Sequence, residues 1–393
     1  MNKLYIGDCL TILDIIPEEN IDLVYIDPPF YSQKAYEIFL NNNAPRMAFE
    51  DRWKGGINTF IDYLIERIKK LYKVLKPTGS IYIHLDWHIV HYIKVEMDKI
   101  FGYHKFRNEI AWCYRTGGIP RKGYPRKHDT LLFYTKGKQF TFNPEYMPYT
   151  PGTIQRGLTK VKGKYFDKGL RKEGTPILDW WTDIQKILSP TAKEMQGYTT
   201  QKPIKLLERI IKISSDPYNI VLDAFCGCGT TLAAAERLHR NWIGIDISQT
   251  AIQLVEKRLL KLGANFETIG KAETLEELKK MPWQSFQVWA INAVFGRHSP
   301  RKIADMGIDG FTYIENNPIQ VKQIESIGRP EIDKFVGVLN RVKTNKGMIV
   351  GLGFSRGAHE EVSRLKREDK KQIELIECEK LLKGEYGYNI LIS

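Results

Sequence analysis

The sequence predicts an α/β protein: a doubly wound, mostly parallel Rossmann-like sheet with an insertion, followed by a smaller α/β domain. Three observations carry that reading. The apolar run Ile21-Asp22-Leu23-Val24-Tyr25-Ile26 stops at Asp27-Pro28-Pro29-Phe30. A second run, Asn219-Ile220-Val221-Leu222-Asp223, passes through Ala224-Phe225-Cys226-Gly227-Cys228-Gly229 into Thr230-Thr231-Leu232 and Ala-rich sequence. Around both, strand-like runs alternate with helical patterns, as crossover-connected parallel strands require. At 393 residues the chain also exceeds the usual size of one domain.

Strands are expected at Leu23–Ile26, Ser80–Leu85, Asn219–Phe225 and Trp242–Ile247, with helices near Phe60–Leu75, Ile89–Phe101, Lys202–Ile213 and Thr231–Leu238. Residues 115–198 are punctuated by Gly117, Gly118, Gly123, Gly152, Gly157, Gly163 and Gly169 and read as a less regular insertion. Lys257 to Lys280 is charged and helical in pattern, its later part a linker. The expected division is therefore 1–262, a linker at 263–280, and a second domain at 281–393, where Met281–Ala290 reads as a helix. No signal peptide, no apolar stretch long enough to span a bilayer and no internal repeat is apparent. Five cysteines, an odd number, imply reduced thiols and a cytoplasm-like compartment. Cys226 and Cys228 lack the second cysteine or histidine pair that zinc spacing demands.

The first corner delivers one carboxylate, two amide carbonyls without neighbouring N–H donors and an aromatic ring to one rigid point. An amine on a flat heterocycle needs that set, although an ordinary proline-stiffened turn has the same sequence. The second corner is a tight glycine turn opening a helix, whose N-terminus offers unpaired N–H groups and a positive dipole end. Asn241-Trp242-Ile243-Gly244-Ile245-Asp246 then ends a strand on an acid suited to a ribose diol. The dinucleotide-dehydrogenase reading is weaker, because Leu232 stands where G-x-G-x-x-G has its third glycine. Ligands of doubly wound sheets bind at strand carboxyl ends, so one shared site for both corners is natural.

The formal charge of +13 is concentrated: His104 to Lys172 holds sixteen Lys/Arg against four Asp/Glu. A charge run is often only a solvated face. Here it is interleaved with Trp112, Tyr114, Tyr124, Phe133, Tyr134, Phe140, Phe142, Tyr146 and Tyr149, the composition of a nucleic-acid surface.

Together the two corners resemble the amino-methylating DNA methyltransferases that use S-adenosylmethionine, in the order of their β subgroup: catalytic motif first, target-recognition region next, cofactor motif last. Gly7-Asp8-Cys9-Leu10, His84-Leu85-Asp86-Trp87, Arg107-Asn108-Glu109-Ile110, Lys127-His128-Asp129 and Thr200-Gln201-Lys202-Pro203 also fit, and the resemblance covers roughly Met1 to Leu262. It implies a base swung out of the duplex, with Phe30 stacked on it at a corner stiffened by Pro29. The Asp27 carboxylate and the Pro28 carbonyl would accept the two amino protons. It places the cofactor's methionine end at Asp223, Phe225, Cys226, Gly227 and Gly229, its ribose at Asp246 and its adenosine near Asp8, with Lys202 and Thr231 in support; His84 and Asp86 would orient the site. Asp27 favours adenine N6, since cytosine members often begin the motif with Ser; N4-cytosine methylation is the alternative. Carbon-5 methylation needs a cysteine, usually after proline, and no Pro-Cys dipeptide occurs. RNA enzymes more often begin the motif with Asn, and a DNA-binding regulator built on a dead enzyme would not need Asp27 and the glycines intact.

In the second domain, Gly307-Ile308-Asp309-Gly310 and Pro318-Ile319-Gln320-Val321-Lys322-Gln323 bracket two strands of a hairpin. With Gly328-Arg329-Pro330, Lys346-Gly347-Met348-Ile349-Val350 and Gly353-Phe354-Ser355, they resemble Mrr-like restriction endonucleases over about 281–393. The resemblance implies a divalent cation such as Mg2+ on the Asp309 carboxylate and the Gln320 carbonyl, with Lys322 stabilising negative charge. Gln287 stands where that family commonly has a glutamate, leaving one formal carboxylate; a domain that only binds DNA is the alternative. The expected partner is double-stranded DNA, with a homodimer left open and no membrane, in a prokaryotic cytoplasm at the nucleoid.

Overall fold

The computed structural model describes residues 2–32, 35–39, 45–50, 56–115, 120–158, 170–187, 194–195, 200–270, 272, 274–294, 296–298, 307–312 and 316–383. Gly117, Gly118, Gly163 and Gly169 lie outside the described residues, within the stretches 116–119 and 159–169 of the expected insertion.

The first sheet has nine strands: β1 (Asn2–Ile6), β2 (Ile21–Ile26), β3 (Leu75–Leu85), β4 (Phe106–Cys113), β5 (His128–Thr135), β6 (Trp180–Trp181), β7 (Ile220–Asp223), β8 (Asn241–Asp246) and β9 (Phe266–Ile269). Their spatial order is β6-β4-β5-β3-β2-β7-β8-β1-β9. β5 runs antiparallel to β3 and β4, and every other junction is parallel. Strand order reverses between β2 and β7, where both sequence corners lie. β2 is apolar on both faces because both are covered, as parallel strands require.

One layer is the helix Gly56–Val74, which turns Phe60, Leu64, Ile68 and Leu71 onto the sheet, beside the helix Val90–Phe101. Their i, i+4 and i, i+3 spacing makes the apolar stripe. The opposite face carries the helices Ile204–Ser214, Thr230–Arg237 and Gln249–Lys261. The four expected strands and four expected helices are all present, most with ends displaced by a few residues.

Two expectations change. Residues 263–280 are not a linker: Phe266–Ile269 pairs in parallel with β1 as the sheet's edge strand. After it, Thr274 caps a helix at Leu275–Lys280 whose Leu278 is wholly buried in the second domain's core. Short strand and short helix are both charged on their outer faces, which is why they read as one continuous helical pattern. Trp112, Phe133 and Tyr134 are not available to bases either. They lie on β4 and β5 inside the sheet and are buried, whereas Tyr124 is 96% exposed.

The second domain holds a five-stranded sheet, β10 (Gly296–His298), β11 (Gly310–Thr312), β12 (Pro318–Lys322), β13 (Lys346–Gly351) and β14 (Gln372–Glu377), in sequential order. β11 and β12 pair antiparallel, the expected hairpin, and β12, β13 and β14 run parallel. Helices Trp283–Ala293, Arg329–Arg341 and Arg356–Glu368 cover it, with apolar side chains buried on both faces. The Trp283–Ala293 helix also reaches the first domain: a methyl group on Gly7 would stand 2.9 Å from Asn292 Nδ2 and 3.7 Å from Val288 Cγ1.

Candidate functional site

Val24 of β2 is paired with Leu222 of β7 in parallel register. Three residues on from each lie Asp27 and Phe225, so the acid-proline corner and the glycine bend emerge side by side. The bend is built as its residues demand. Gly227 and Gly229 have φ of 49° and 72°, in the left-handed region, and Gly229 N donates to Cys226 O at 2.7 Å. A Cβ on Gly229 would press Val255 at 3.0 Å. Leu232, the residue that breaks the dinucleotide fingerprint, lies against Gly244 of β8, where an added Cβ would collide with its Cδ1. Cys226 contributes backbone: its N–H donates to Ile245 O at 3.0 Å, while burial pushes its thiol well above the ordinary value. All five cysteines are free.

Asp223 ends β7 beneath the bend, accepting from Thr231 Oγ1 at 2.5 Å and from Phe225 N at 3.0 Å. Burial pushes its carboxyl up to about 7 against those hydrogen bonds, with the Asp27 charge acting in the same upward direction. Asp246 ends β8 and accepts Gly227 N and Ser248 N on its two oxygens, each at 2.8 Å. Desolvation raises it to about 6.

The structure places Lys202, expected at the cofactor, on the acid of the proline corner. Its Nζ is 2.5 Å from Asp27 Oδ2 and 5.0 Å from the Phe30 ring centroid. Asp27 Oδ1 is buried and has no hydrogen-bond partner. A buried acceptor left open beside a half-exposed ring is what a bound amine would satisfy. Pro28 is buried, while Pro29 and Phe30 are half-buried. Tyr31 closes the corner at φ 59°, a conformation bulky residues adopt only under constraint. Asp8 lies past the end of β1, beside Asp246. Its carboxylate is engaged by buried Arg67 at 2.8 and 2.9 Å and caps the turn Cys9–Ile12 through Leu10 N. Asp86 turns to His88, accepting its N–H at 2.9 Å. His84 is fully buried beneath Phe30, ring centroids 5.8 Å apart.

In the second domain Asp309 precedes β11 and Gln320 and Lys322 lie on β12. Asp309 Oδ1 accepts Gln287 Nε2 at 2.5 Å and its Oδ2 accepts Val321 N at 2.7 Å. Gln320 donates to Gly307 O at 3.1 Å, and its Oε1 is buried without a partner. A carboxylate and an orphaned amide carbonyl are the oxygen donors a hard divalent cation takes, although no group of three or more His, Cys, Asp or Glu that could hold a metal occurs among the described residues. Lys322 Nζ is 3.0 Å from Glu331 on the next helix. Lys334 and then Lys322 hold the Glu331 carboxyl below the usual range.

Sequence reasoning missed Arg67, and Lys186, whose Nζ lies 3.1 Å from Asp129 Oδ2, because each reaches its partner across the fold with no fixed spacing to announce it; it also missed Glu331, whose i, i+3 pairing with Lys334 reads as an ordinary surface helix pair. Among the described residues no helix is long and apolar enough to cross a membrane.

Fold and corners define the class: a Rossmann-like protein whose acidic and glycine corners emerge side by side at the strand-order reversal. A family model described as a DNA methylase matches residues 21–257, and one described as a restriction endonuclease matches residues 278–383. The chain belongs to the DNA methylase family and carries an Mrr-type endonuclease domain behind it. It is similar to the Type II methyltransferase M.BamHI of Bacillus amyloliquefaciens, 30% identical over 285 residues, 72% of this chain and 62% of that protein. Type II methyltransferase M.HinfI of Haemophilus influenzae is 31% identical over 67% of this chain and 70% of its own length. DNA adenine methyltransferase YhdJ of Escherichia coli (strain K12) is 31% identical over 70% of this chain and 86% of its own. The chain thus spans less than two thirds of M.BamHI's length.

Proposed function

We propose that this chain methylates the N6 amine of adenine at a specific site in double-stranded DNA, in a prokaryotic cytoplasm, using S-adenosylmethionine. The carrying observation is Asp27 Oδ1, buried and open beside Phe30 while Lys202 occupies the other carboxylate oxygen. An adenine amine is a weak nucleophile because its lone pair is delocalised into the ring. With the base flipped out, Asp27 Oδ1 and the Pro28 carbonyl accept its two protons and draw the nitrogen toward tetrahedral geometry. Phe30 holds the base plane by stacking. Lys202 fixes the carboxylate so that the free oxygen stays aimed into the pocket. Bound S-adenosylmethionine supplies an electrophilic methyl group. Gly227 and Gly229 let the backbone approach its methionine end beside Asp223, Phe225, Cys226 and Thr231, Asp246 holds the ribose, and the turn capped by Asp8 borders the adenosine. Alignment and charge placement supply most of the acceleration, and the displaced proton leaves through Asp27. YhdJ, an adenine methyltransferase by name, supports the choice of base. A cytosine N4 amine would meet the same acceptors, so the modified nucleoside recovered from product DNA decides between them.

The second domain is read as a metal-dependent DNA endonuclease, making the chain a restriction-modification protein. Asp309 and Gln320 would hold Mg2+, which supplies Lewis-acid activation of a phosphodiester. Lys322 balances negative charge there. Absence of cutting by wild type with Mg2+ or Mn2+ on unmodified DNA would remove this half of the reading.

For the methylase half, Asp27→Ala should abolish transfer of radiolabelled methyl groups to DNA while calorimetric binding of S-adenosylmethionine persists. Loss of both would show that Asp27 builds the pocket rather than engaging the amine.

A further inference from the structure

Behind Phe30 lies a buried polar chain that reaches the insertion. His84 has both ring nitrogens engaged: Tyr25 Oη is 2.9 Å from Nδ1 and Asp129 Oδ2 is 3.4 Å from Nε2. That pairing is satisfied when Tyr25 donates to Nδ1 and Nε2–H faces the carboxylate, which fixes one neutral tautomer. Burial, with the Lys202 charge nearby, holds the imidazole below its ordinary value and so neutral. The Trp112 ring meets His84 edge-on at 5.5 Å and 86°, and the Phe30 ring covers it at 5.8 Å. Asp129, on β5 and itself buried, also accepts Tyr114 Oη at 2.8 Å and lies 3.1 Å from Lys186 Nζ. Burial opposes its ionisation, but His84 and the Lys186 and Lys202 charges outweigh burial and hold it well below the carboxylate range. Lys186 follows β6 in the insertion and rests 3.7 Å over the Tyr114 ring. Trp112 Nε1 ties that loop down by donating to Ile184 O at 2.7 Å.

We infer that Asp129 is a positioning residue for methyl transfer: it locks His84 beneath the base-stacking ring of Phe30 and, through Lys186 and Tyr114, ties that ring to the insertion. This rests on the methyltransferase reading and names how the target side of the protein reaches its pocket. Lys186, Asp129 and His84 touch neither the base nor the methyl group and act only through Phe30, so their effect belongs in the rate of the bound complex rather than in its assembly.

The test uses two matched duplexes carrying the site mapped on wild-type-methylated DNA: one with adenine at the target for single-turnover methylation, and one with 2-aminopurine, which has no N6 amine, in its place for base-flipping emission. Both are run with Asp129→Asn, Lys186→Gln and the double variant. Asp129→Asn keeps the side chain's shape and removes its charge. The expected result is a transfer rate reduced about ten-fold or more, cofactor and DNA affinities within about three-fold of wild type, and a changed 2-aminopurine emission from a base that enters the pocket without being clamped. Lys186→Gln should lower the rate less, and its effect should largely vanish in the Asp129→Asn background, because residues in one network do not add. A merely structural Asp129 would lower thermal stability and leave the rate of folded protein unchanged; that result overturns the inference. Should Asp129→Asn not fold, Lys186→Gln alone decides, since its side chain is partly exposed and an unaltered rate there is equally fatal. Wild-type protein that methylates nothing overturns the parent reading as well, whereas active wild type with unaltered variants sinks only the positioning role.

Discussion

Asp223 is where a single side chain makes the pocket sensitive to pH. Its carboxyl is pushed up to about 7, chiefly by burial, and Thr231 and the Phe225 N–H only partly offset this. In the free protein the sign is unfavourable to the anion. The folded state holds a proton between the ordinary carboxylate range and about 7 that the unfolded chain has released, so this group's contribution to stability declines as pH rises through that window. A cationic ligand reverses the preference. The methionine end of S-adenosylmethionine carries an ammonium group, which the Asp223 anion would attract under the proposed placement. Affinity for the cofactor should therefore rise from pH 6 to pH 8 by several-fold, measured by calorimetry in buffers of matched ionic strength. Asp223→Asn, which cannot ionise, should bind more weakly at pH 8 and show no such rise. An equal pH dependence in that variant would move the titration to another group, with Asp246, raised to about 6, next in line.

At the scale of elements, the glycine bend shows how tightly local geometry specifies the site. Gly229 sits at φ 72° at the N-cap of the helix Thr230–Arg237, and any Cβ would meet Val255 at 3.0 Å. Gly229→Ala combines a left-handed backbone penalty of about 1 kcal/mol with that contact. The expected outcome is a melting temperature lowered by a few degrees and cofactor affinity reduced about ten-fold, read by thermal unfolding with and without ligand. Unchanged affinity would separate the bend from the cofactor. This bend, the proline corner and the strands feeding them were legible in the sequence because apolar runs ending on glycine, proline or acid are local signals. β9 was not, since four residues of mixed polarity become a strand only when β1 presents an edge to pair with. The aromatic residues of β4 and β5 misled for a related reason. Trp112, Phe133 and Tyr134 look like a base-stacking series until β3 pairs with β5 and the strands are drawn into the sheet. The ion pairs Lys202–Asp27 and Lys186–Asp129 span 175 and 57 residues of sequence, a separation that only the folded sheet closes.

On the scale of the whole molecule, the two proposed chemistries would share one chain while drawing on separate sheets. The proline corner and glycine bend stand on the first sheet; Asp309, Gln320 and Lys322 stand on or beside the second, and the domains touch at Gly7 through the helix that also carries Gln287. Contact without shared residues among those assigned above means that, on the proposed reading, each activity can be silenced alone. Lys322→Ala should remove metal-dependent cleavage of unmodified DNA and leave the rate of methyl transfer within about two-fold of wild type. The same chain suggests why cutting would be the weaker activity. Gln287 and Gln320 are neutral, so Asp309 supplies the one carboxylate among the three, and a hard cation favours charged oxygen. Gln287 Nε2 moreover donates to Asp309 Oδ1, an interaction a cation must displace. Gln287→Glu replaces that donor with a second carboxylate, and the Mg2+ concentration giving half-maximal cleavage should fall about ten-fold, with methylation unaffected. If the midpoint does not move, or rises, Asp309 is not a metal ligand and the second domain holds DNA by other means.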